Sequence, residues 1–384
     1  SELTVILKLF AFLIPIKNLS IIFLTTMQAF QQIKYATIIE QIIENSTKLI
    51  ITFVLILLGF NILGAVFAFI IASVVTLILS FYVLEKKVFS MTNKNTIAIY
   101  NSKELLLFST PLLFSNFFVN VVKWIDTWFI GSLRTTSEVG LYNAALPTAS
   151  LLVLVPTALM ALFIPIITEL YAKNKIKKIK KISFLISKWI FYINIPIAAF
   201  IVIFSKNILN VMFGQEYSAA YTALIILTLS HIPYSLSHIH ANILQMLKKK
   251  KRIMVIFIIS TIINLILNIS LIPRYGMTGA AIGVAGYFSS LYILMALSVY
   301  KFKKLQTIRR IYLKSVFSVI ISAFIIYTIS KIILPKSIIN LLILSIVFLL
   351  AYIILLILIK GFEKEDLTII KIIKDKIFSN KNKK

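Results

Sequence analysis

The 384-residue sequence contains no cysteine, which excludes disulfides, thiolate metal sites and a cysteine nucleophile. Charge is scarce and one-sided. Only 14% of residues are Asp, Glu, Lys or Arg, and 13 acidic residues stand against 40 basic ones, for a net charge of +27. A soluble domain of this length needs far more charged surface. No glycine-rich phosphate loop, HExxH motif, Cys/His cluster or nucleophile elbow occurs, so neither catalysis nor a resident metal is expected. No charged n-region or small-residue cleavage site marks a signal peptide.

What is abundant is apolar sequence: 60% of residues are hydrophobic and the mean hydropathy is +0.98. Eleven segments have the roughly 20 residues a helix needs to cross about 30 Å of hydrocarbon. They run at about 4–25, 37–59, 62–84, 104–130, 141–170, 184–205, 218–246, 253–273, 277–300, 311–331 and 337–360. The fold class expected is an all-α polytopic membrane protein. The lysines and arginines sit between spans, which excludes nucleic acid as a partner. The 172–182 stretch carries Lys173, Lys175, Lys177, Lys178, Lys180 and Lys181, and the 247–252 stretch carries Lys248, Lys249, Lys250, Lys251 and Arg252. These loops, with those at 85–103 and 301–310, alternate with loops of little charge, so the basic set is expected on the cytoplasmic side of the plasma membrane. That orientation puts Ser1 outside and the tail, Lys371 to Lys384, inside, lying on anionic lipid.

An internal repeat accounts for the outside start. The run around Pro15, Leu19, Gln28 and Lys34 has the layout of that around Pro233, Leu236, Gln245 and Arg252, and Gly64-Ala65 matches Gly279-Ala280, about 215 residues later. Three helices precede the later copy and none the earlier, so three upstream helices of a 14-helix parent are expected to be missing.

From residue 104 onward, Pro111, Asp126, Gly131, Gly140-Leu141-Tyr142, Pro165 and Glu169-Leu170-Tyr171 form one pattern; FGQEYSAAYTALIILTLS at 213–230 forms a second. Asn264, Asn268, Leu271-Ile272-Pro273, Gly276, Gly279-Ala280-Ala281 and Gly283 form a third. In order and spacing these resemble polysaccharide-exporter flippases, the O-antigen type of the multidrug/oligosaccharidyl-lipid/polysaccharide superfamily. The resemblance implies a two-lobe bundle of six plus six plus two helices, here without the first three. It assigns 1–90 to the last three helices of the N-terminal lobe, 91–103 to a cytoplasmic linker, 104–300 to a six-helix C-terminal lobe, 301–360 to two additional helices and 361–384 to a basic tail. It implies translocation of a lipid-linked oligosaccharide by alternating access, without an ATP site, coupled to a H+ or Na+ gradient, and with polysaccharide-assembly glycosyltransferases and membrane lipids as partners. The alternatives are a multidrug-type exporter of the same superfamily and a non-transporting scaffold. A membrane-embedded glycan polymerase would need a large outer loop, and none is present.

Polar residues inside the spans are the candidate cavity lining, because a charge near mid-bilayer costs about 2.5–3.5 kcal/mol. Asn116, Asn120, Lys123 and Thr127 fall on one helix stripe with Asp126 beside it. Lys123 is a candidate for the cargo's pyrophosphate or acidic sugar, and Asp126 for tuning it or coupling to a cation; a self-neutralising pair is the competing reading. Lys17, two residues after Pro15, is a second candidate, against packing on a missing helix. His231, Ser235, His238, Asn242 and Gln245 make a further stripe suited to sugar hydroxyls or to interhelical hydrogen bonds. Glu40, Glu44 and Lys48 read as a solvated entrance. Pro147, Pro156 and Pro233 interrupt their helices and are candidate hinges.

Overall fold

The computed structural model describes residues 2–30, 32–89, 102–104, 106, 109, 124–303, 311–362 and 366, and every regular element among them is helical. Eight helices among the described residues are long and apolar enough to cross a membrane. One of the eight, Lys250–Lys301, contains two of the expected spans. Large apolar side chains such as Leu49, Leu57 and Phe324 are exposed along these helices, as a lipid-facing surface requires. The chain divides into two compact units, Ser1–Phe108 and Ser109–Lys384.

In the first unit, α1 (Glu2–Ala29) is followed by α2 (Ile33–Thr37), a π-helical stretch (Ile38–Ile43) and α3 (Glu44–Leu57). Gly59, at φ 86°, turns the chain into α4 (Asn61–Val83), and the amide of Phe60 closes the end of α3 on the carbonyl of Leu55, 3.0 Å away. Gly64, Ala68, Ala72, Thr76 and Ser80 recur every fourth residue on the buried face of α4. Such small side chains let helix backbones approach closely where lipid supplies no hydrophobic drive between helices.

The second unit begins, among its described helices, with a segment at 124–133, followed by α5 (Thr136–Ser150), a 3-10 turn (Leu151–Val153) and α6 (Leu154–Ala172). There follow α7 (Ile176–Ile203), α8 (Ser205–Phe213), a 3-10 turn (Gln215–Ala220), α9 (Tyr221–Met246), α10 (Lys250–Lys303), α11 (Ile311–Ile329) and α12 (Ile338–Leu358). Helix α9 is the axis of this unit and packs on α5, α6, α7 and α10, while α7 carries α11 and α12. Two apolar clusters fill it, one around Tyr142, Leu224, Ile272 and Phe348 and the other around Phe163, Ile190, Ile239 and Leu291.

Two local features depart from the sequence expectation. The basic stretch at 172–182 is loop only near Asn174; from Ile176 it is the first turns of α7, because lysine is a good helix former and Ile179 is buried against the α6–α9 core. The 206–217 region, expected as a loop, is helical as far as Phe213, in α8. The break expected between residues 273 and 277 is present: α10 is two helices joined at Gly276, whose φ of 53° and ψ of −133° lie outside the helical region. Glu138 holds this joint: its Oε2 accepts from the amide of Met277 at 3.1 Å, and its Oε1 accepts from Arg134 Nε at 3.1 Å. A Cβ on Gly276 would stand 2.0 Å from Glu138 Oε2, so only glycine fits both the dihedral and the space.

Candidate functional site

Each unit holds a buried polar centre. In the first, Glu44 is 3% exposed and its Oε1 receives Lys17 Nζ from α1 and Lys48 Nζ, at 3.1 Å, from its own helix. Glu44 Oε2 has no hydrogen-bond partner among the described residues. Lys48 also lies over the Phe69 ring, 4.0 Å from its centroid. The expectation of a solvated entrance fails for Glu44. A π-helical turn takes more residues than an α turn, so the Ile38–Ile43 stretch brings Glu44 round toward the side of buried Ile39, five residues earlier, and into the bundle. Lys17, expected to line a cavity, is the partner of this buried carboxylate, and its side chain remains 32% exposed.

In the second unit, Asp126 is 7% exposed and its Oδ1 accepts from Asn264 Nδ2 at 3.1 Å and Asn268 Nδ2 at 2.5 Å. The two asparagines are one turn apart on α10 and bonded to each other at 3.2 Å. Gly283, on the second half of α10, makes room for them: a Cβ there would stand 2.1 Å from Asn268 Oδ1. The hydroxyls of Tyr142 and Thr127 are buried with no hydrogen-bond partner among the described residues. A carboxylate held inside a bundle by amides is an expensive arrangement. Asn116, Asn120 and Lys123, expected on the same stripe, lie outside the described residues. The roles of Asn264 and Asn268 as partners of Asp126 were missed, although an i, i+4 pair of asparagines in an apolar span is the signal that pointed to them.

The stripe on α9 divides. His231 Nδ1–H donates to the carbonyl of Leu227 at 2.7 Å and its ring meets Phe288 edge-on, with centroids 5.0 Å apart. Ser235 accepts from Asn194 Nδ2 at 2.9 Å. These two are knit into interhelical packing. His238 Nε2 is buried with no hydrogen-bond partner among the described residues. Asn242 and Gln245, with Ile164, Ile167, Thr168 and Met246, line a pocket of about 240 Å3. His240, off the stripe, was missed; it is buried against Tyr292.

The prolines act locally. Pro156 cannot donate to the carbonyl of Leu152 four residues earlier, and that carbonyl accepts instead from Asn194 Nδ2 at 3.0 Å and Ser235 Oγ at 3.4 Å. The 3-10 turn Leu151–Val153 lies between Pro147 and Pro156, whereas α9 runs on through Pro233. A further buried charge escaped the sequence reading: Lys188, fully buried on α7, pairs at 2.6 Å with Asp366, which also accepts from Trp189 Nε1 at 3.1 Å. Asp366 belongs to the stretch expected as a surface tail, and it is docked on α7.

Charged and amide side chains are thus held inside bundles whose described elements are all helical, and comparison with known proteins points to a class. The polysaccharide biosynthesis protein family matches residues 1–171 and the MatE family residues 111–270. The "Probable low-salt glycan biosynthesis flippase Agl15" of Haloferax volcanii is 30% identical over 190 residues, 49% of this chain and 40% of that protein. The "Probable flippase AglR" of the same organism is 32% identical over 165 residues, 41% of this chain and 34% of that one. Among solved structures, the lipid II flippase MurJ in an inward closed conformation matches with a TM-score of 0.61 and 19% identity, over 82% of this chain and 65% of that chain. The chain thus spans less than half the length of these two curated relatives. The two family matches together span residues 1–270, and with the flippase relatives and the MurJ-like fold they support a flippase of the multidrug/oligosaccharidyl-lipid/polysaccharide superfamily.

Proposed function

We propose that this protein moves a lipid-linked oligosaccharide across the plasma membrane by alternating access, the site facing first the cytoplasm and then the outside. The observation that carries the reading is the pair of polar centres, Lys17 with Glu44 and Lys48 in one unit and Asp126 with Asn264 and Asn268 in the other, within otherwise apolar helices. Charges are kept at such depth when they meet a polar cargo or an ion. The flippase names of Agl15, AglR and MurJ favour an oligosaccharide or cell-wall precursor on a lipid over a free small molecule.

In this reading the lysines meet the anionic linkage of the cargo, together with Lys123, Asn116 and Asn120. His238, Asn242 and Gln245 offer hydrogen bonds to sugar hydroxyls, whereas His231 serves packing. Asp126 is the group through which a H+ or Na+ gradient acts, since its described partners are neutral amides. Pro147, Pro156 and Pro233 are the bending points. The basic loops face the cytoplasm, where anionic lipid and glycosyltransferases presenting the cargo are the neighbours. No bond is made or broken, so no catalytic residue is assigned.

The test is flipping of a fluorescent lipid-linked oligosaccharide by the protein in proteoliposomes, read as loss of protection from an impermeant quencher. Headgroup exposure that requires the protein and slows at least about tenfold in Asp126→Asn is expected. Correctly folded protein that leaves the headgroup in place but extrudes a lipophilic cationic dye would overturn the reading in favour of drug export.

A further inference from the structure

Phe163 and Ile167 of α6 and Ile239 and Ile243 of α9 belong to one apolar cluster, which joins the two helices. On the adjoining faces, Ile164 and Thr168 of α6 and Asn242, Gln245 and Met246 of α9 line, with Ile167, the pocket of about 240 Å3. Ile167 is its buried floor, and exposed Ile164, Thr168 and Gln245 stand at its mouth. None of these six side chains is ionisable, and Glu169, next to Thr168, is paired with Lys173 at 2.5 Å. The polar groups are set by their own helices. Thr168 Oγ1 gives its hydrogen to the carbonyl of Ile164 at 2.8 Å, and Asn242 Nδ2 donates to the carbonyl of His238 at 2.8 Å. An oxygen on each is left to accept, while the Gln245 amide offers two donor hydrogens and an acceptor. Acceptor oxygens with no cation among them disfavour phosphate and carboxylate and suit a ligand rich in O–H or N–H groups. The volume lies below the roughly 300–1,000 Å3 of pockets for drug-sized ligands, so it fits one ring rather than a chain of them.

We infer that this pocket is a selectivity subsite for one uncharged sugar ring. Hydroxyl or acetamido hydrogens of the ring donate to Asn242 Oδ1 and Thr168 Oγ1, the Gln245 amide bonds a neighbouring hydroxyl, and the C–H face of the ring lies on Ile164, Ile167 and Met246. A uronate or phosphorylated sugar is refused, because its charge would be taken from water into a lining with no counter-charge. The pocket lies near the ends of α6 (Ala172) and α9 (Met246), which lead into Lys173 to Lys181 and Lys248 to Arg252. With those stretches on the cytoplasmic side, the ring is recognised as the cargo is loaded, before any movement across the membrane. Placing the ring on a lipid-linked cargo rests on the flippase reading above; the preference of the pocket for a neutral ring does not.

The experiment is saturation-transfer NMR on the full chain in phosphatidylcholine nanodiscs, with the methyl glycosides of glucose, mannose, galactose, N-acetylglucosamine and glucuronic acid as probes. Saturable transfer to at least one neutral glycoside is expected, with the glucuronide at least about tenfold weaker than the best of them. Gln245→Leu should weaken that neutral glycoside about three- to tenfold, and Gln245→Lys should turn the preference toward the glucuronide. No saturable transfer to any neutral glycoside, or a glucuronide that binds as tightly, would overturn the subsite. So would undiminished binding in a Gln245→Leu protein of wild-type helix content. Should Gln245→Leu fail to fold, Gln245→Lys decides: an unchanged preference there overturns the assignment. The flipping assay separates a sugar carried on lipid from a free one. Gln245→Lys should slow a cargo of neutral sugars, and unchanged flipping beside lost glycoside binding would make a free sugar the occupant and overturn the selectivity role. Glycoside binding with the expected pattern in a protein that flips nothing keeps the subsite and removes the flippase reading. Flipping without glycoside binding does the reverse.

Discussion

Tyr352 on α12 donates its hydroxyl hydrogen to the carbonyl of Tyr192 on α7, 2.9 Å away. That carbonyl lies four residues before Pro196, so it has no helical N–H to receive. The same hydroxyl meets Ser315 Oγ of α11 at 2.7 Å, which makes one side chain the junction of three helices. A backbone carbonyl buried without water must find such a donor. Tyr352→Phe is therefore expected to lower stability by about 1–3 kcal/mol, and Ser315→Ala by less, because Tyr352 donates to the orphan carbonyl and Ser315 meets Tyr352 instead. Thermal unfolding of both variants in one detergent checks this; equal losses would deny the carbonyl its special dependence.

The Leu152 carbonyl, released by Pro156, gives a sharper version of the argument. Asn194→Ala should cost about 1–2 kcal/mol in the wild-type background, since it removes the shorter of two donors to that carbonyl. With alanine at position 156 a backbone N–H returns, and the same Asn194→Ala change should cost at least about 0.5 kcal/mol less. A double-mutant cycle measured by thermal unfolding reads the coupling directly, and additive losses would mean that Asn194 serves some other group.

The difference between what the sequence disclosed and what it hid follows from scale. Span length and the alternation of basic loops are properties of twenty residues at a time, and they placed the helices, the two segments around Gly276 and the candidate charges Lys17 and Asp126. Partnerships depend on rotation about a helix axis, which a single extra residue changes. Glu44 was read as solvated because α-helical spacing was assumed, and the π-helical stretch Ile38–Ile43 brings it round to the buried side of Ile39. Lys188 was hidden for a different reason: its partner Asp366 is 178 residues further on, so neither residue signals the other locally. The asparagines 264 and 268 were visible as a pair, but their carboxylate lies on another helix.

Gly283 bears on the Asp126 centre without carrying a polar group. A methyl there would meet Asn268 Oδ1 well inside contact distance, and this amide is held by Asp126 and Asn264 at once. Gly283→Ala is expected to cost about 1–3 kcal/mol in thermal stability. Asn268→Ala in the same background should recover part of that loss, because it removes the atom that clashes. A Gly283→Ala protein as stable as wild type would show that the asparagine side chain has room to move aside.

Lys248 sits at φ 56° after the last turn of α9, and the amide of Lys249 closes that helix on the carbonyl of Leu244 at 2.9 Å. A side chain with a Cβ pays about 1 kcal/mol for the left-handed conformation, which glycine adopts freely. Lys248→Gly should raise the melting temperature modestly and leave flipping unchanged, because four basic residues, Lys249 to Arg252, remain in the stretch. A lowered melting temperature would mean that the Lys248 side chain makes a contact worth more than the backbone strain.

The buried pair of Lys188 and Asp366 predicts strong non-additivity. Removing one partner strands the other charge in a site closed to water, and such losses run to about 3–5 kcal/mol. Lys188→Met alone should therefore be severely destabilising, although Trp189 Nε1 still donates to Asp366. Asp366→Leu alone should be comparably damaging. The double variant should recover most of the loss, since two apolar side chains pack where an ion pair stood. The readout that separates this from general damage is limited proteolysis after α12: each single variant should expose the stretch around Gly361, where Tyr192 Oη donates to the carbonyl at 3.1 Å, and the double variant should protect it again. Equal cleavage in all three would mean that the ion pair does not hold this stretch on α7.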